Sequence, residues 1–409
     1  MQVQSYIRVR ALATELSIKY LFLVTLTMII TSSIFYYLIG FYGGDLDGVE
    51  YVVELSTLIF FTMLYISGLC FSYFFSNQIS NIKISKYYLM HQSKYLIASV
   101  FILFSIITVI LALWGGVGTI HRDVDTNRYA DLFFALFDPY TFIIIMIYYV
   151  FLNFGKSLFD RFVLFFLFFS YLFLIVRSGF TGYLILALPI LISMLSNIMS
   201  RRKVVLVMMT SLLLFPFVRI GKWVIGGLSF SDINTEVFLL ATRGVIERFS
   251  AVPNMIYIHY SLADNGQLLQ SSYLPFFQGY IGSFLHKLLF SSPVESITLF
   301  LHQVIQSTNS DSNSTFPLLS YFSLDLYIGG LALIYALFWF FILSCLLSVI
   351  FGKSLLGRKI ISFFIFYILF FYVFNGWFWA FWGCMQAIIL FIMLLLLFGK
   401  ISSITPIIR

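Results

Sequence analysis

Apolar residues run along this chain in long unbroken stretches, and one extended polar stretch divides them. A helix needs about 20 predominantly apolar residues to cross the hydrocarbon of a bilayer. Stretches of that kind fall near 20–41, 51–75, 95–114, 133–154, 162–176, 180–199, 204–220, 324–350, 360–376 and 377–398. None alternates with the strict two-residue period of a membrane barrel, so helices must satisfy the backbone in lipid. The pattern predicts an all-α polytopic integral membrane protein of about ten transmembrane helices. Residues 1–220 form an N-terminal transmembrane bundle of about seven helices, 221–323 a large polar region, and 324–409 the C-terminal transmembrane helices and tail. The joins near Arg177 and Gly376 are short, so the flanking spans form tight hairpins.

Composition leads to the same solvent. Hydrophobic residues make up 61% of the chain and charged residues 10%, with a mean hydropathy of +0.99, a balance no soluble domain carries. Aromatics reach 20%, which suits lipid-facing helices and interfacial belts. Cys70, Cys345 and Cys384 all sit inside apolar stretches, which argues against disulfides and for buried thiols. The net charge of +7 is no nucleic-acid signal, because the basic residues gather at helix ends. Residues 1–19 are polar and no cleavage site follows the first apolar stretch, so that stretch reads as a retained helix.

The loops set the orientation. Alternate connections carry Arg8, Arg10, Lys19; Lys83, Lys86, Lys94; Lys156, Arg161; Arg201, Arg202, Lys203; Lys353, Arg358, Lys359; and Lys400, Arg409, roughly two-thirds of all Lys and Arg. Placing these in the cytoplasm puts both termini inside and the 221–323 region outside. Nucleotide donors are absent there, so chemistry on that side needs a pre-activated, membrane-held substrate.

The polar region reads as helices and turns. Trp223, Phe230, Phe238, Phe249, Phe276, Phe277 and Phe284 would let it pack back on the membrane surface. Ser231 or Asp232 could cap a helix running to about Ser250, before Pro253. On it Arg243 and Glu247 lie four apart on one face and Arg248 points elsewhere. Ser292-Pro293-Val294-Glu295 combines an N-cap, a first-turn Pro and a Glu three after the cap. In the helix that follows, Val294, Ile297, Leu301 and Ile305 share an apolar side, and Glu295, His302 and Gln306 share a polar one. The run Ser307–Thr315, which includes Asn309 and Ser310, is either a solvated turn or a sugar-contacting loop.

Arg177 is a lone cation on the side where cations are scarce. It either snorkels to the headgroups or clamps a pyrophosphate, for which its planar fork is suited. Arg219 and Lys222 read as lipid anchors, and Arg122 and Arg128 alternate with Asp123, Asp125 and Asp131. His121, His259 and His286 stand isolated. No HExxH, CxxC, GxSxG or Walker pattern occurs, and Asp123-Val124-Asp125 alone is a weak metal signal, so no metal or cofactor is expected.

Several local patterns carry a family resemblance. They are Val176-Arg177-Ser178-Gly179 before an apolar span, Thr242-Arg243-Gly244 with Glu247, and His302 ahead of Asn309-Ser310. Ser314-Thr315-Phe316-Pro317 leading into Asp325-Leu326-Tyr327-Ile328-Gly329-Gly330 is a fourth. With the layout of spans and one dominant late loop, the chain resembles the O-antigen polymerase (Wzy) family of Gram-negative inner membranes. The arginine-rich repeat motif of some members is not evident. The resemblance implies a membrane glycosyltransferase of the C type (GT-C-like), with 221–323 as a large helical periplasmic loop. It joins oligosaccharide repeat units carried on undecaprenyl diphosphate, whose diphosphate leaves. Fixed cations should surround that leaving group; Arg177 and Arg243 are the candidates, with Arg248 beside them. His302 is the candidate base and Glu247 the second choice, while Glu295, Gln306, Asn309 and Ser310 would bind substrate. Implied partners are lipid-linked oligosaccharides, membrane lipids and a chain-length regulator protein. An O-antigen ligase, differing in its acceptor, and a lipid-linked oligosaccharide flippase are the alternatives.

Overall fold

The structure, a computed structural model, describes residues 2–40, 53–81, 87–91, 93–117, 127–154, 157–178, 181–196, 200, 202–204, 206–207, 210, 215–225, 229–248, 251–269, 317–324, 326–352 and 354–403. Its helices are α1 (Gln2–Ile39), α2 (Leu55–Asn81), α3 (Lys94–Trp114), α4 (Arg128–Phe137), α5 (Pro139–Asn153), α6 (Leu158–Ser178) and α7 (Leu188–Ser196). They continue with α8 (Phe215–Ile225), α9 (Thr235–Arg248), α10 (Val252–Leu269), α11 (Leu326–Phe351), α12 (Leu355–Tyr367) and α13 (Phe378–Phe398). A 3-10 segment (Thr181–Ala187) leads into α7, and a π-helical segment (Ile368–Phe374) prolongs α12. Two strands, β1 (Tyr87–His91) and β2 (Gly399–Ser403), pair antiparallel.

Among the described residues seven helices are long and apolar enough to cross a membrane, and α4 with α5, bent 47° at their break, would supply an eighth crossing. The chain is an all-α multi-pass membrane protein. Several helices start where a side chain meets the first free N–H groups. Ser354 Oγ accepts from Gly357 N at 3.0 Å, Asn127 Oδ1 accepts from Tyr129 N at 2.9 Å, and Ser157 and Asp160 cap each other's N–H groups at 3.3 and 3.2 Å.

Two elements form the centre. Every side chain of α5 from Pro139 to Phe151 is buried. The stretch Leu355–Phe374 is 89% buried, against 33–44% for the other six spans, which turn one side to lipid. Lipid gives no hydrophobic drive between helices, so close packing and polar links hold them. Tyr148 meets Phe364 edge-on at 5.1 Å, and Thr62 of α2 donates to Ser33 of α1 at 3.1 Å. Gly68 permits close approach: a Cβ there would stand 3.0 Å from Phe374 and 3.3 Å from Leu319.

The basic end is tied shut. Tyr87 pairs with Ser403 and His91 with Gly399, which fixes the α2–α3 connection to the segment after α13. Lys94 at the start of α3 ion-pairs with Asp160 at the start of α6. Glu15 accepts from Lys19 at 2.8 Å and lies 3.3 Å from Lys359 at the start of α12. Arg10 donates to the Phe151 carbonyl at the end of α5, with its guanidinium 3.8 Å over that ring. The start of α1, the end of α2, the starts of α3, α6 and α12, and the ends of α5 and α13 therefore share one face.

The polar region differs in detail from its sequence reading. Ser231 and Asp232 cap no long helix; they lie in a 3-10 turn, and Asn234 Oδ1 caps α9 by accepting from Val237 N at 2.9 Å. Asn234 wins because the turn uses up the backbone before it. The helix ends at Arg248, and α10 resumes at Val252 with Pro253 in its first turn, where Pro lacks no needed donor. The boundary at Gly221 also shifts, since α8 runs through it to Ile225. Phe230 and Phe238 stay exposed, and the return to the bundle is made by Val252, Met255, Ile256 and Ile258, all in the main core. There α10 packs on α2 and on the turns at 318–324.

Candidate functional site

Three departures from regular α-helix meet at the end opposite the basic face. Irregular backbone at membrane depth survives only where protein or an aqueous cavity satisfies it, so each has a local cause and a set of supports.

The first is the α4–α5 break. Phe137-Asp138-Pro139 interrupts an apolar stretch, and a proline both lacks the N–H and turns its predecessor away from the helical region. Asp138 takes φ 38° and ψ 72°, the one non-glycine residue with positive φ among those described. Thr141 Oγ1 donates to Asp138 Oδ2 at 2.6 Å, and Gln386 of α13 donates to the Leu136 carbonyl that the break sets free. Gly383 of α13 admits the carboxylate, because a Cβ there would stand 3.2 Å from Asp138 Oδ2. The 15 residues of α5 span roughly 22 Å from the basic end, which leaves Asp138 about 8 Å short of crossing a 30 Å hydrocarbon layer.

The second is the 3-10 segment before α7. Three tyrosines from three helices donate to its carbonyls: Tyr367 to Gly182 at 3.0 Å, Tyr171 to Tyr183 at 2.5 Å and Tyr148 to Leu186 at 2.7 Å. A free carbonyl in lipid costs several kcal/mol, so these hydroxyls make the irregular turn tolerable. The third is the π segment, a form common at functional sites. Behind it Asn375 accepts from Tyr65 of α2, and Gly376 takes φ 81°.

Arg177 ends α6 beside these elements. The residue is half-buried, and among the described residues its Nε, itself buried, has no hydrogen-bond partner. A freely snorkelling arginine would keep its whole head in water. A cation is also favoured at a helix C-terminus. The next residue, Ser178, lies within hydrogen-bonding reach of Tyr140, and Tyr140 is within electrostatic reach of both Asp138 and Arg177. Tyr140 stacks on Tyr183 with centroids 4.8 Å apart and planes 15° from parallel. The cluster thus joins α5, α6, α13 and the 3-10 segment, and it sets a cation and a carboxylate around one phenol.

Of the site residues expected from sequence, Arg177 falls in this cluster. Arg243, Glu247 and Arg248 lie on α9, where the backbone is described and their side chains are not. His302, Glu295, Gln306, Asn309 and Ser310 lie outside the described residues, as do the Ser292–Glu295 helix start and Asp123 and Asp125. His259 is exposed and packs its ring on Phe61 at 5.3 Å. The sequence reading passed over Asp138 inside the 133–154 span, and with it Tyr140 and Tyr183. The signal was present: an ionisable residue before a proline in the middle of an apolar run. Comparison with family models, with curated proteins and with solved structures returns no match.

Proposed function

We propose that this chain is an O-antigen polymerase. It joins undecaprenyl-diphosphate-linked repeat units on the periplasmic side of a bacterial inner membrane, and undecaprenyl diphosphate is released. In this reading the chain crosses ten times, the basic face is cytoplasmic with both termini, and the 221–323 region is the periplasmic loop. The acceptor's sugar hydroxyl attacks the anomeric carbon of the donor as the bond to the diphosphate breaks. Negative charge grows on the leaving diphosphate, and preorganised cations lower that barrier most.

Arg177 carries the reading. It is a partly covered guanidinium at the weakly basic end, in the hairpin that the family resemblance singled out, with no carboxylate paired to it among the described residues. Arg243 and His302 join it as the second cation and the base. A flippase has one observation in its favour, since Asp138 is the kind of intramembrane carboxylate that transport pathways use.

The surface polysaccharide of a deletion strain separates these readings. Single-repeat chains mean a polymerase, and an unmodified lipid A core means a ligase or a flippase. Alkaline phosphatase fused at Gln267 should be active and at Lys353 inactive. The reverse pattern would end the periplasmic placement.

A further inference from the structure

Asp138 asks for a reason that the fold does not supply. Its backbone needs a residue that tolerates positive φ, and its side chain accepts from Thr141, whose hydroxyl donates at 2.6 Å. Asparagine would do both: it enters the left-handed region readily, and its amide oxygen accepts as well. It would also avoid holding a partly covered ionisable group at membrane depth, which is costly and marks function when it occurs. The surroundings are shaped for the carboxylate, since Gly383 leaves α13 bare where Oδ2 approaches. From Asp138 the chain passes through Pro139 to Tyr140, then across to Ser178 and Arg177. Tyr171, Tyr183, Tyr372 and Cys384 also stand within electrostatic reach of Asp138.

We propose that Asp138 is the negative pole of a bipolar site whose positive pole is Arg177. The inference rests on the glycosyl-transfer reading. As the bond between the anomeric carbon and the diphosphate lengthens, its electron pair moves to the diphosphate and the sugar ring gains positive charge. Arg177 stabilises the first change and Asp138 the second, each from a preorganised position in a medium of low dielectric. Asp138 acts through space and moves no proton in this scheme. The same pole repels the diphosphate that remains after transfer, which favours product release.

The sign of that repulsion makes the test sharp. Full-length wild type, Asp138→Asn, Asp138→Glu and Arg177→Ala would be purified in detergent. For each, thermal unfolding, the affinity for a polyprenyl diphosphate carrying no sugar, and kcat on a lipid-linked repeat unit would be measured. Asp138→Asn should unfold like wild type, lose about 10- to 100-fold in kcat, and bind the polyprenyl diphosphate as tightly or up to about ten-fold more tightly. Asp138→Glu should recover part of the rate, and Arg177→Ala should weaken binding at least about ten-fold. A structural support lost at Asp138 would instead weaken binding together with the rate. That result, or a wild-type kcat in Asp138→Asn, overturns the proposal. Wild type that binds the polyprenyl diphosphate but transfers no glycan sinks the polymerase reading alone; tighter binding by Asp138→Asn would still support the negative pole. Wild type that does not bind the probe overturns both.

Discussion

The two ends of the bundle handle polar groups in opposite ways. At the basic end each cation in the tie between helices has a partner of opposite charge or a carbonyl: Lys94 with Asp160, Lys19 and Lys359 with Glu15, Arg10 with the Phe151 carbonyl. The strand pair closes the same face. At the other end helices break, tighten and widen, tyrosines support the freed carbonyls, and Arg177 pairs with no carboxylate among the described residues. Pairing suits a face that only has to hold helices together. Strain and a cation left without a carboxylate suit a face that has to receive a ligand, because a site already satisfied by the protein gains little from binding.

Variants at the two ends should therefore fail in different ways. The largest effects belong to the proposed site. His302→Ala should yield single-repeat surface chains, general acid–base help being worth about 10²–10⁴ in rate, and His302→Gln tells a base from a positioning group. Arg177→Lys should cripple polymerisation although charge is kept, because lysine cannot engage two phosphate oxygens at once. Wild-type chain lengths in Arg177→Lys at normal expression would return that residue to a lipid anchor and remove the contrast between the ends.

Asp160→Asn should act on stability instead. It strands a part-exposed Lys94, and losing one member of a mostly buried pair costs about 2–4 kcal/mol. Thermal unfolding in detergent should fall while activity per folded molecule stays near wild type; an activity loss at unchanged stability would assign the basic end a working role. Tyr171→Phe removes the donor to the Tyr183 carbonyl and should cost about 1–3 kcal/mol. Because Tyr183 stacks on Tyr140, activity should drop as well, which distinguishes it from Asp160→Asn. Lys19→Ala should be nearly silent, within about 0.5 kcal/mol, because its pair with Glu15 is exposed. A larger shift there would mean that Glu15 depends on both lysines to hold α12.

Much of this contrast was legible in the chain. The asymmetry of Lys and Arg marked the two faces, and Arg177 stood out as a lone cation on the poorer one. The α4–α5 break was not read, although Asp138-Pro139 announces it, because mean apolarity across 133–154 hides one polar residue among many apolar ones. The cap of α9 was placed at Ser231 or Asp232 because Ser, Asp and Asn are all good caps; only the local turn selects Asn234. Of the aromatic residues expected to pack the polar region on the membrane surface, Phe249, Phe276, Phe277 and Phe284 lie outside the described residues, while the aliphatic start of α10 is what joins the bundle beside α2.

Sequence by itself determined the solvent, the helical class and which loops share a side. Each follows from sums over many residues: apolar length against bilayer thickness, and charge summed over loops. Tertiary structure alone decided which helices are central, because apolarity does not rank them: Leu355–Phe374, the most buried span, is no more apolar than the spans that face lipid. It also decided which polar residues meet. Asp138 and Tyr140 open α5, Arg177 closes α6 and Tyr183 lies in the 3-10 segment, and their meeting depends on a 47° bend, a 3-10 turn and a bare Gly383, none of which a hydropathy pattern encodes.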